Sequence, residues 1–195
     1  MAFRREHLQL WNRINEYVYI DLETTGLSYS KGAKIIEIAA YKVKNDIVID
    51  KFVTLVNPLE HIPEEITSIN GITDDMVKDK ETIEKVMPKF LEFFGTLPLI
   101  CHNSRFDIGR FLKPMLKDKY NYELPNIVLC TLEASQAIVV NISYTLGSMY
   151  RYFTGKEPEN AHRAEGDVIM GVEVAKAIQK KIREDHPYIY YHLNK

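Results

Sequence analysis

The hydrophobic residues of this chain include five short runs that are rich in β-branched and aromatic side chains. Such runs, bounded by turn residues, predict strands. The predicted strands are Tyr17–Ile20, Ile35–Val43, Ile47–Val56, Pro98–Cys101 and Ile127–Cys130. The first run is uninterrupted, as expected for a strand that is covered on both faces. Asn45 and Asp46 are a tight-turn signal between the second and third runs, so these two strands should pair as a hairpin.

Other segments carry apolar residues at the three- and four-residue spacing of an amphipathic helix. The clearest is Glu81–Phe94, which should end at Gly95. The longest is Val168–Ile182, which should bury Ile169 and Val172. The other predicted helices are Arg4–Glu16, a short one after Pro63, a short one after Thr73, Arg105–Leu116 with Pro114 as an end or kink, Thr131–Val140 and Ser143–Phe153.

The order of these elements predicts the fold class. Three strands in a meander are followed by helices, then by a strand, a helix, a strand and further helices. This order predicts an α/β protein with a mixed five-stranded sheet, the meander plus two parallel strands, and helices on both faces. With 195 residues, the chain suits one domain over 17–184, a helical extension over 1–16 and a tail over 185–195. In such sheets, functional side chains gather where strands end and the strand order reverses.

Composition narrows the class of protein. Hydrophobic residues make up 46 % of the chain, enough for a sizeable core. The net charge of −2 argues against a protein that coats nucleic acid through bulk electrostatics, but not against an enzyme whose metal ions supply local positive charge. Cys101 and Cys130 both lie in apolar segments, so we expect two buried reduced thiols in a cytoplasmic protein. No apolar run reaches the length of a membrane span, and residues 1–15 lack the apolar core of a signal peptide.

The candidate chemistry begins at the end of the first strand. Asp21 and Glu23 are two residues apart and should point to the same side. Two carboxylates at the end of a buried strand repel each other and lose solvation, so a cation is expected between them. Oxygen ligands suit Mg²⁺ or Mn²⁺. Taken alone, however, an Asp-x-Glu pair is more often a turn signal or a solvated edge.

Two further acids and a histidine fit the same centre. Asp107 should lie in the first turn of a helix and near Asp21 if the fourth strand neighbours the first, although the helix dipole alone also favours an acid there. Asp167 precedes the last predicted helix, where an N-cap is its alternative role. Five helical residues turn through about 500°, so His162 and Asp167 can face one site only if His162 lies on a loop before the helix. His162 is then a candidate general base, and a solvated loop histidine is the alternative.

These residues belong to three motifs, which are Asp21–Leu27 (DLETTGL), His102–Asp107 (HNSRFD) and His162–Asp167 (HRAEGD). In this order the motifs resemble those of the DEDDh exonucleases, the family of DNA-polymerase proofreading subunits and related nucleases. The resemblance extends from Tyr17 to Ile178 and includes the turn Asn70–Thr73. One position departs from the family pattern, because Cys130 stands where an acid often precedes a Thr-Leu pair. That acid is not a metal ligand in the family.

The resemblance implies a ribonuclease H-like fold and hydrolysis of DNA from its 3′ end, with release of nucleoside 5′-monophosphates. Four acids would hold two Mg²⁺ or Mn²⁺ ions about 3.5–4 Å apart; these acids are Asp21, Glu23, Asp107 and Asp167. His162 would take the proton from the attacking water. Six residues would bind the 3′-terminal nucleotide: Thr24, Thr25, Gly26, Leu27, Asn103 and Phe106. For Phe106, core packing is a competing role.

The sequence leaves alternatives for the substrate and the partner. The acids do not distinguish ribose from deoxyribose, so an exoribonuclease is the alternative enzyme. A non-catalytic module that binds nucleic acid or a polymerase on the same fold is the alternative outside enzymes. We expect a single-stranded 3′ end as the partner, a DNA polymerase as a candidate second partner in replication or repair, and no membrane contact.

Overall fold

The computed structural model describes residues 5–140, 142–158 and 163–185. Within these ranges, five strands form one sheet in the order β3-β2-β1-β4-β5. The strands are β1 Glu16–Thr24, β2 Ile35–Lys44, β3 Ile47–Leu55, β4 Leu99–Cys101 and β5 Val128–Cys130. β2 is antiparallel to both β1 and β3, whereas β4 is parallel to both β1 and β5. The predicted mixed sheet is confirmed.

The turn between β2 and β3 and the pairing of β4 with β5 both agree with the sequence. Asn45 and Asp46 turn the chain between β2 and β3 with φ of 50° and 65°. Asn and Asp tolerate this left-handed conformation, and the hairpin forms as predicted. β4 and β5 bring Cys101 and Cys130 to facing positions, and both are buried free thiols, as expected.

The described part of the chain contains eight α-helices: α1 Arg5–Arg13, α2 Glu64–Asn70, α3 Asp74–Val77, α4 Ile83–Phe94, α5 Lys113–Tyr120, α6 Thr131–Ile138, α7 Leu146–Thr154 and α8 Ala164–Asp185. α6 ends before the predicted Val140, and α7 begins after the predicted Ser143. Thr145 caps α7, since its Oγ1 accepts the N–H of Ser148 at 3.3 Å. None of these helices is long and apolar enough to cross a membrane.

The predicted helix at Arg105 does not end at Pro114. A π-helical segment, Arg105–Leu112, continues directly into α5. Pro114 therefore lies in the first turn of α5. This position accommodates proline because the first turn of an α-helix needs no N–H donor.

Helices cover both faces of the sheet, so β1 is buried on both sides. α1, α6, α7 and α8 pack on the face that carries Tyr17 and Tyr19. α4, α5 and the π-helical segment pack on the other face, which carries Val18 and Ile20. Successive residues of β1 thus alternate between two separate hydrophobic cores.

The start of α8 differs from the prediction in a way that affects the site. α8 begins at Ala164, so Asp167 lies inside its first turn rather than ahead of it. The predicted burial of Ile169 is wrong, because 48 % of this residue is exposed. Val168 and Val172 face the sheet, and Ile169 lies about 100° round the helix from Val168.

Candidate active site

Three carboxylates meet at the end of β1. Asp21 and Glu23 share the α8 side of the strand, as residues two apart must. Asp167 reaches them from the first turn of α8. One carboxylate oxygen from each of the three lies within 4.8 Å of the others. The packing of α8 on β1 therefore brings together acids that are far apart in sequence.

Asp107 approaches the same end of β1 from the neighbouring parallel strand. After β4, Asn103 adopts a left-handed φ of 62°, and the π-helical segment then carries Asp107 to β1. The residue is 2 % exposed, and its Oδ1 accepts the N–H of Leu22 at 3.2 Å. Asp107 thus lies beside the group of three rather than within it.

The surroundings of Asp21, Glu23 and Asp107 disfavour the ionisation of these three carboxyl groups. Burial raises the pKa of Asp21 well above its ordinary value, and the charges of Asp107, Asp167 and Glu23 raise it further. Burial raises the pKa of Glu23 to about 7, although a hydrogen bond from Asn70 opposes the shift. Burial also raises the pKa of Asp107 to about 8.

This electrostatic arrangement fits divalent cations. Buried carboxylates that repel one another are stabilised in their charged form by a positive ion placed between them. The ligand atoms of the group are all carboxylate oxygens, which hard ions such as Mg²⁺ and Mn²⁺ prefer. A divalent-metal centre is therefore the natural chemistry of this part of the molecule.

Asn70 orients Glu23, a role that the sequence did not reveal. Its Nδ2 donates to Glu23 Oε2 at 3.2 Å, while its Oδ1 accepts the N–H of Ile72 at 3.0 Å. The second hydrogen bond assigns the amide orientation, since only a carbonyl oxygen can accept it. Gly71 ends α2 with φ 73°, which allows the chain to turn there.

An ion pair between buried Glu37 and partly exposed Arg163 fixes the start of α8. Glu37, which stands opposite Glu23 in the β1–β2 register, is 3 % exposed. Its two oxygens accept from Arg163 Nη2 at 2.7 Å and Nε at 3.2 Å, and Oε2 also accepts the N–H of Ala164 at 3.0 Å. The sequence signal for this contact is Glu37 itself, a glutamate inside the apolar run of β2. No role was predicted for this residue.

The loop after β1 presents one exposed apolar side chain. Thr24 Oγ1 donates to Gly26 O at 2.7 Å, and Thr25 Oγ1 accepts the N–H of Lys34 at 2.9 Å. These bonds hold the loop, and Leu27 beyond them is 71 % exposed. The Leu27 side chain is therefore accessible on the loop that follows β1.

The other predicted substrate-binding residues, Asn103 and Phe106, lie on the π-helical side of the site. Asn103 is exposed and forms the left-handed turn that precedes Asp107. Phe106 is partly buried and packs on Phe111 with ring centroids 5.1 Å apart. Phe106 thus makes the core contact that competes with a role in substrate binding.

The second and third motifs each begin with a histidine, His102 and His162. His162 lies outside the described residues, so its role as general base stays a prediction. His102 is a structural residue, with Nδ1 2.9 Å from Thr131 Oγ1 and Nε2 2.9 Å from Tyr144 O. Burial lowers the pKa of His102, so its ring is neutral at physiological pH.

Relatives of known name match most of this chain. DNA polymerase III subunit epsilon of Aquifex aeolicus is 36 % identical over 159 residues, which cover 81 % of this chain and 77 % of that protein. DNA polymerase III PolC-type of Clostridium perfringens is 39 % identical over 171 residues, which cover 88 % of this chain. The matched region is only 12 % of the PolC-type protein.

Solved structures share the fold. Exonuclease X in complex with 5′-overhanging duplex DNA has a TM-score of 0.65 and 26 % identity, covering 88 % of this chain and 93 % of that chain. E. coli exonuclease I in complex with a dT13 oligonucleotide has a TM-score of 0.74 and 20 % identity, covering 92 % of this chain and 44 % of that chain. The family model described as an exonuclease matches residues 18–175. The chain therefore belongs to the exonuclease family, as its three motifs predicted.

Proposed function

We propose that this chain is a metal-dependent exonuclease that removes nucleotides from the 3′ end of DNA and releases nucleoside 5′-monophosphates. The observation that supports this function best is the group of carboxylates at the end of β1, formed by Asp21, Glu23 and Asp167 with Asp107 beside it. The raised pKa values of Asp21, Glu23 and Asp107 mean that the ionised forms of these residues gain much from cations. Membership of the exonuclease family supports the reaction class.

The four acids are the proposed ligands of two Mg²⁺ or Mn²⁺ ions. When bound, these ions would supply an activated water and stabilise the departing 3′ oxygen. Asn70 holds one oxygen of Glu23, so this ligand is oriented before any ion arrives. The pair of buried Glu37 with Arg163 fixes the helix start that carries Asp167. Second contacts of this kind keep ligands in place with little reorganisation.

His162 is the proposed general base. Its unperturbed pKa near neutrality suits proton transfer from water, and it directly precedes Arg163, whose guanidinium is bound to Glu37. Replacing His162 by alanine should slow hydrolysis by about 10²–10⁴-fold while metal binding is retained. An equal loss of metal affinity would contradict a role as base.

The loop Thr24–Leu27 is the proposed seat of the 3′-terminal nucleotide. Leu27 is exposed on the loop that directly follows the strand of Asp21 and Glu23, and we expect it to pack against a base. Asn103 and Phe106 are the other proposed contacts. Contacts of this kind read the shape of a terminus rather than its sequence. We therefore expect little sequence preference.

We propose single-stranded DNA as the substrate and a DNA polymerase as a partner, in replication or repair. The epsilon and PolC-type relatives carry DNA polymerase III in their names, and E. coli exonuclease I was solved with a dT13 oligonucleotide. RNA is the alternative substrate. Free buried thiols at Cys101 and Cys130 suit the reducing cytoplasm, where we place the protein.

A cleavage assay tests this function. The purified chain is given 5′-labelled single-stranded DNA, duplex DNA and single-stranded RNA of one sequence, with Mg²⁺, Mn²⁺, Zn²⁺ or EDTA. We expect a ladder that shortens from the 3′ end on DNA with Mg²⁺ or Mn²⁺ and no product with EDTA. Asp167→Asn is the matched inactive control. Faster loss of RNA would transfer the proposal to an exoribonuclease, and activity with Zn²⁺ alone would overturn the assignment of hard ions.

A further inference from the structure

α8 contacts β1 at a point where the helix carries no side chain. Gly171 of α8 and Tyr19 of β1 are both buried. A Cβ atom on Gly171 would overlap the tip of the Tyr19 ring, at Cε1, Cζ and the hydroxyl oxygen. The glycine has no positive φ, so it is required here for space rather than for conformation.

The Tyr19 ring has no room to move aside. The residue is 0 % exposed, and its hydroxyl lies 3.4 Å from Oγ1 of Thr131, which is itself fully buried. Thr131 Oγ1 in turn lies 3.3 Å from the carbonyl oxygen of Cys101 and 2.9 Å from Nδ1 of His102. Because the ring is enclosed from behind, a larger residue at position 171 must displace α8.

The same helix and strand carry two of the acids one step away from this contact. Asp167 precedes Gly171 by four residues, which is about 6 Å along a helix and on nearly the same face. Asp21 follows Tyr19 by two residues, which is about 6.6 Å along a strand and on the same face. The two steps match in length, so the contact and the acid pair are successive points of one helix–strand interface.

We infer that the contact between Gly171 and Tyr19 sets the spacing of α8 from β1 and thereby positions Asp167 against Asp21. Neither Gly171 nor Tyr19 touches the carboxylates in this role; they are positioning residues that act through the helix and the strand. The inference rests on the metal centre of the proposed function. It names two residues that lie outside the three motifs.

The test exchanges bulk between the two positions. Gly171→Ala should weaken Mn²⁺ binding about tenfold or more, because metal ligands tolerate displacements of only about 0.5 Å. Tyr19→Leu removes the ring tip, so the double variant Tyr19→Leu/Gly171→Ala should recover Mn²⁺ affinity to within about threefold of the wild type. Affinity is measured by electron paramagnetic resonance of free Mn²⁺, and folding by near-UV circular dichroism. Hydrolysis of labelled DNA is a second readout.

Gly109→Ala is the matched control. Gly109 is an exposed helical glycine, and a Cβ there would lie 3.8 Å from Ser104 O, an ordinary van der Waals contact. This variant should bind Mn²⁺ as the wild type does. An unchanged Mn²⁺ affinity in Gly171→Ala would overturn the inference. A double variant that does not recover Mn²⁺ affinity would also overturn it. If Gly171→Ala does not fold, the double variant alone decides in the same way.

The outcomes separate this inference from the proposed function. A wild-type chain that binds Mn²⁺ and degrades DNA, together with an unaffected Gly171→Ala variant, overturns the inference alone. A wild-type chain that binds Mn²⁺ but degrades no nucleic acid overturns the proposed function, while the exchange of bulk still decides the positioning role. A wild-type chain without Mn²⁺ affinity overturns both.

Discussion

The two faces of β1 come from alternate residues of one strand, yet one face forms a hydrophobic core and the other carries the acids of the site. Towards α4 the strand presents hydrocarbon only, from Val18, Ile20 and Leu22, each at most 4 % exposed. Towards α8 it presents Tyr19 and then two acids, Asp21 and Glu23. Burial stabilises the first face by about 25 cal/mol per Å² of apolar area and opposes ionisation on the second. The two-residue period of a strand thus separates stability from chemistry.

The helices that cover these faces differ in the same way. α4 buries Val86, Met87, Phe90 and Phe94, which fill space against the sheet. The buried residues of α8 include Ala164, Gly166, Gly171 and Ala175, which allow a close approach. α4 therefore covers its face with large side chains, whereas α8 combines large ones, such as Met170 and Ile178, with small ones that let its backbone approach β1. Substitutions on the two faces should accordingly fail in different ways.

The largest expected effect is on the chemical face. Asp21→Asn should lower the rate of DNA hydrolysis by about 10³-fold or more, because a lost metal ligand removes several kcal/mol of transition-state stabilisation. The melting temperature of the metal-free variant should stay equal or rise, since a carboxyl group whose ionisation the fold disfavours has been replaced by a neutral amide. Single-turnover kinetics and calorimetry measure the two effects. A destabilised Asp21→Asn variant would contradict the division between the faces.

Substitution of Ile20, which precedes Asp21, should lower stability and leave metal binding intact. Ile20→Ala removes a fully buried side chain from the α4 face and should lower the free energy of unfolding by about 3 kcal/mol. Mn²⁺ affinity per folded molecule should remain within about threefold of the wild type, because the acids point to the other face. Urea unfolding and Mn²⁺ titration of the same sample measure both. Loss of affinity beyond the unfolded fraction would show that the faces are coupled.

How far the sequence could predict this molecule depends on the range of each interaction. Strands and the Asp21–Glu23 pair were predictable because alternation and two-residue spacing are local. The meeting of Asp167 with Asp21 was expected from the family resemblance, since no local pattern joins positions so far apart. Pro114 was misjudged because proline is compatible with a first turn, and where a helix segment begins depends on its neighbours.

The partners of the acids were not predictable, because each is defined by a residue on another element. Asn70 was part of a recognised turn, but its bond to Glu23 spans 47 positions. Glu37 meets Arg163 across 126 positions, and Gly171 is required only because the Tyr19 ring lies opposite. A charged residue inside an apolar strand was the single available signal.

A smaller effect should distinguish an ion pair with a buried carboxylate from one whose carboxylate is partly exposed. Glu37→Gln should lower the free energy of unfolding by about 2 kcal/mol and slow hydrolysis, since Arg163 and the N–H of Ala164 lose a charged acceptor and the start of α8 is loosened. Glu16→Gln is the matched control, because Glu16 pairs with Lys44 at 2.9 Å on the surface. It should change stability by less than about 0.5 kcal/mol. Equal effects of the two substitutions on urea unfolding would contradict the role of the Glu37–Arg163 pair.

The smallest expected effect is a pH dependence of the metal-free protein. Glu23 and Asp107 have ordinary pKa values of 4.5 and 3.8, which the fold raises to about 7 and about 8. At pH values between the ordinary and the raised pKa of each group, the folded state binds more protons than the unfolded state. Stability therefore falls as pH rises, and the stabilisation present at low pH is lost through about pH 7–8. Divalent cations replace the protons and should abolish most of this loss.

Calorimetry in EDTA should accordingly give a melting temperature a few degrees lower near pH 8.5 than near pH 5.5, whereas excess Mg²⁺ should raise it mainly at the higher pH. Other titrating groups contribute to the same curve, so Asp107→Asn is the control. It lacks one of the raised carboxyl groups and should show a shallower slope than the wild type in EDTA. Identical slopes, or a Mg²⁺ effect of equal size at both pH values, would show that these acids are not the site where cations and protons compete.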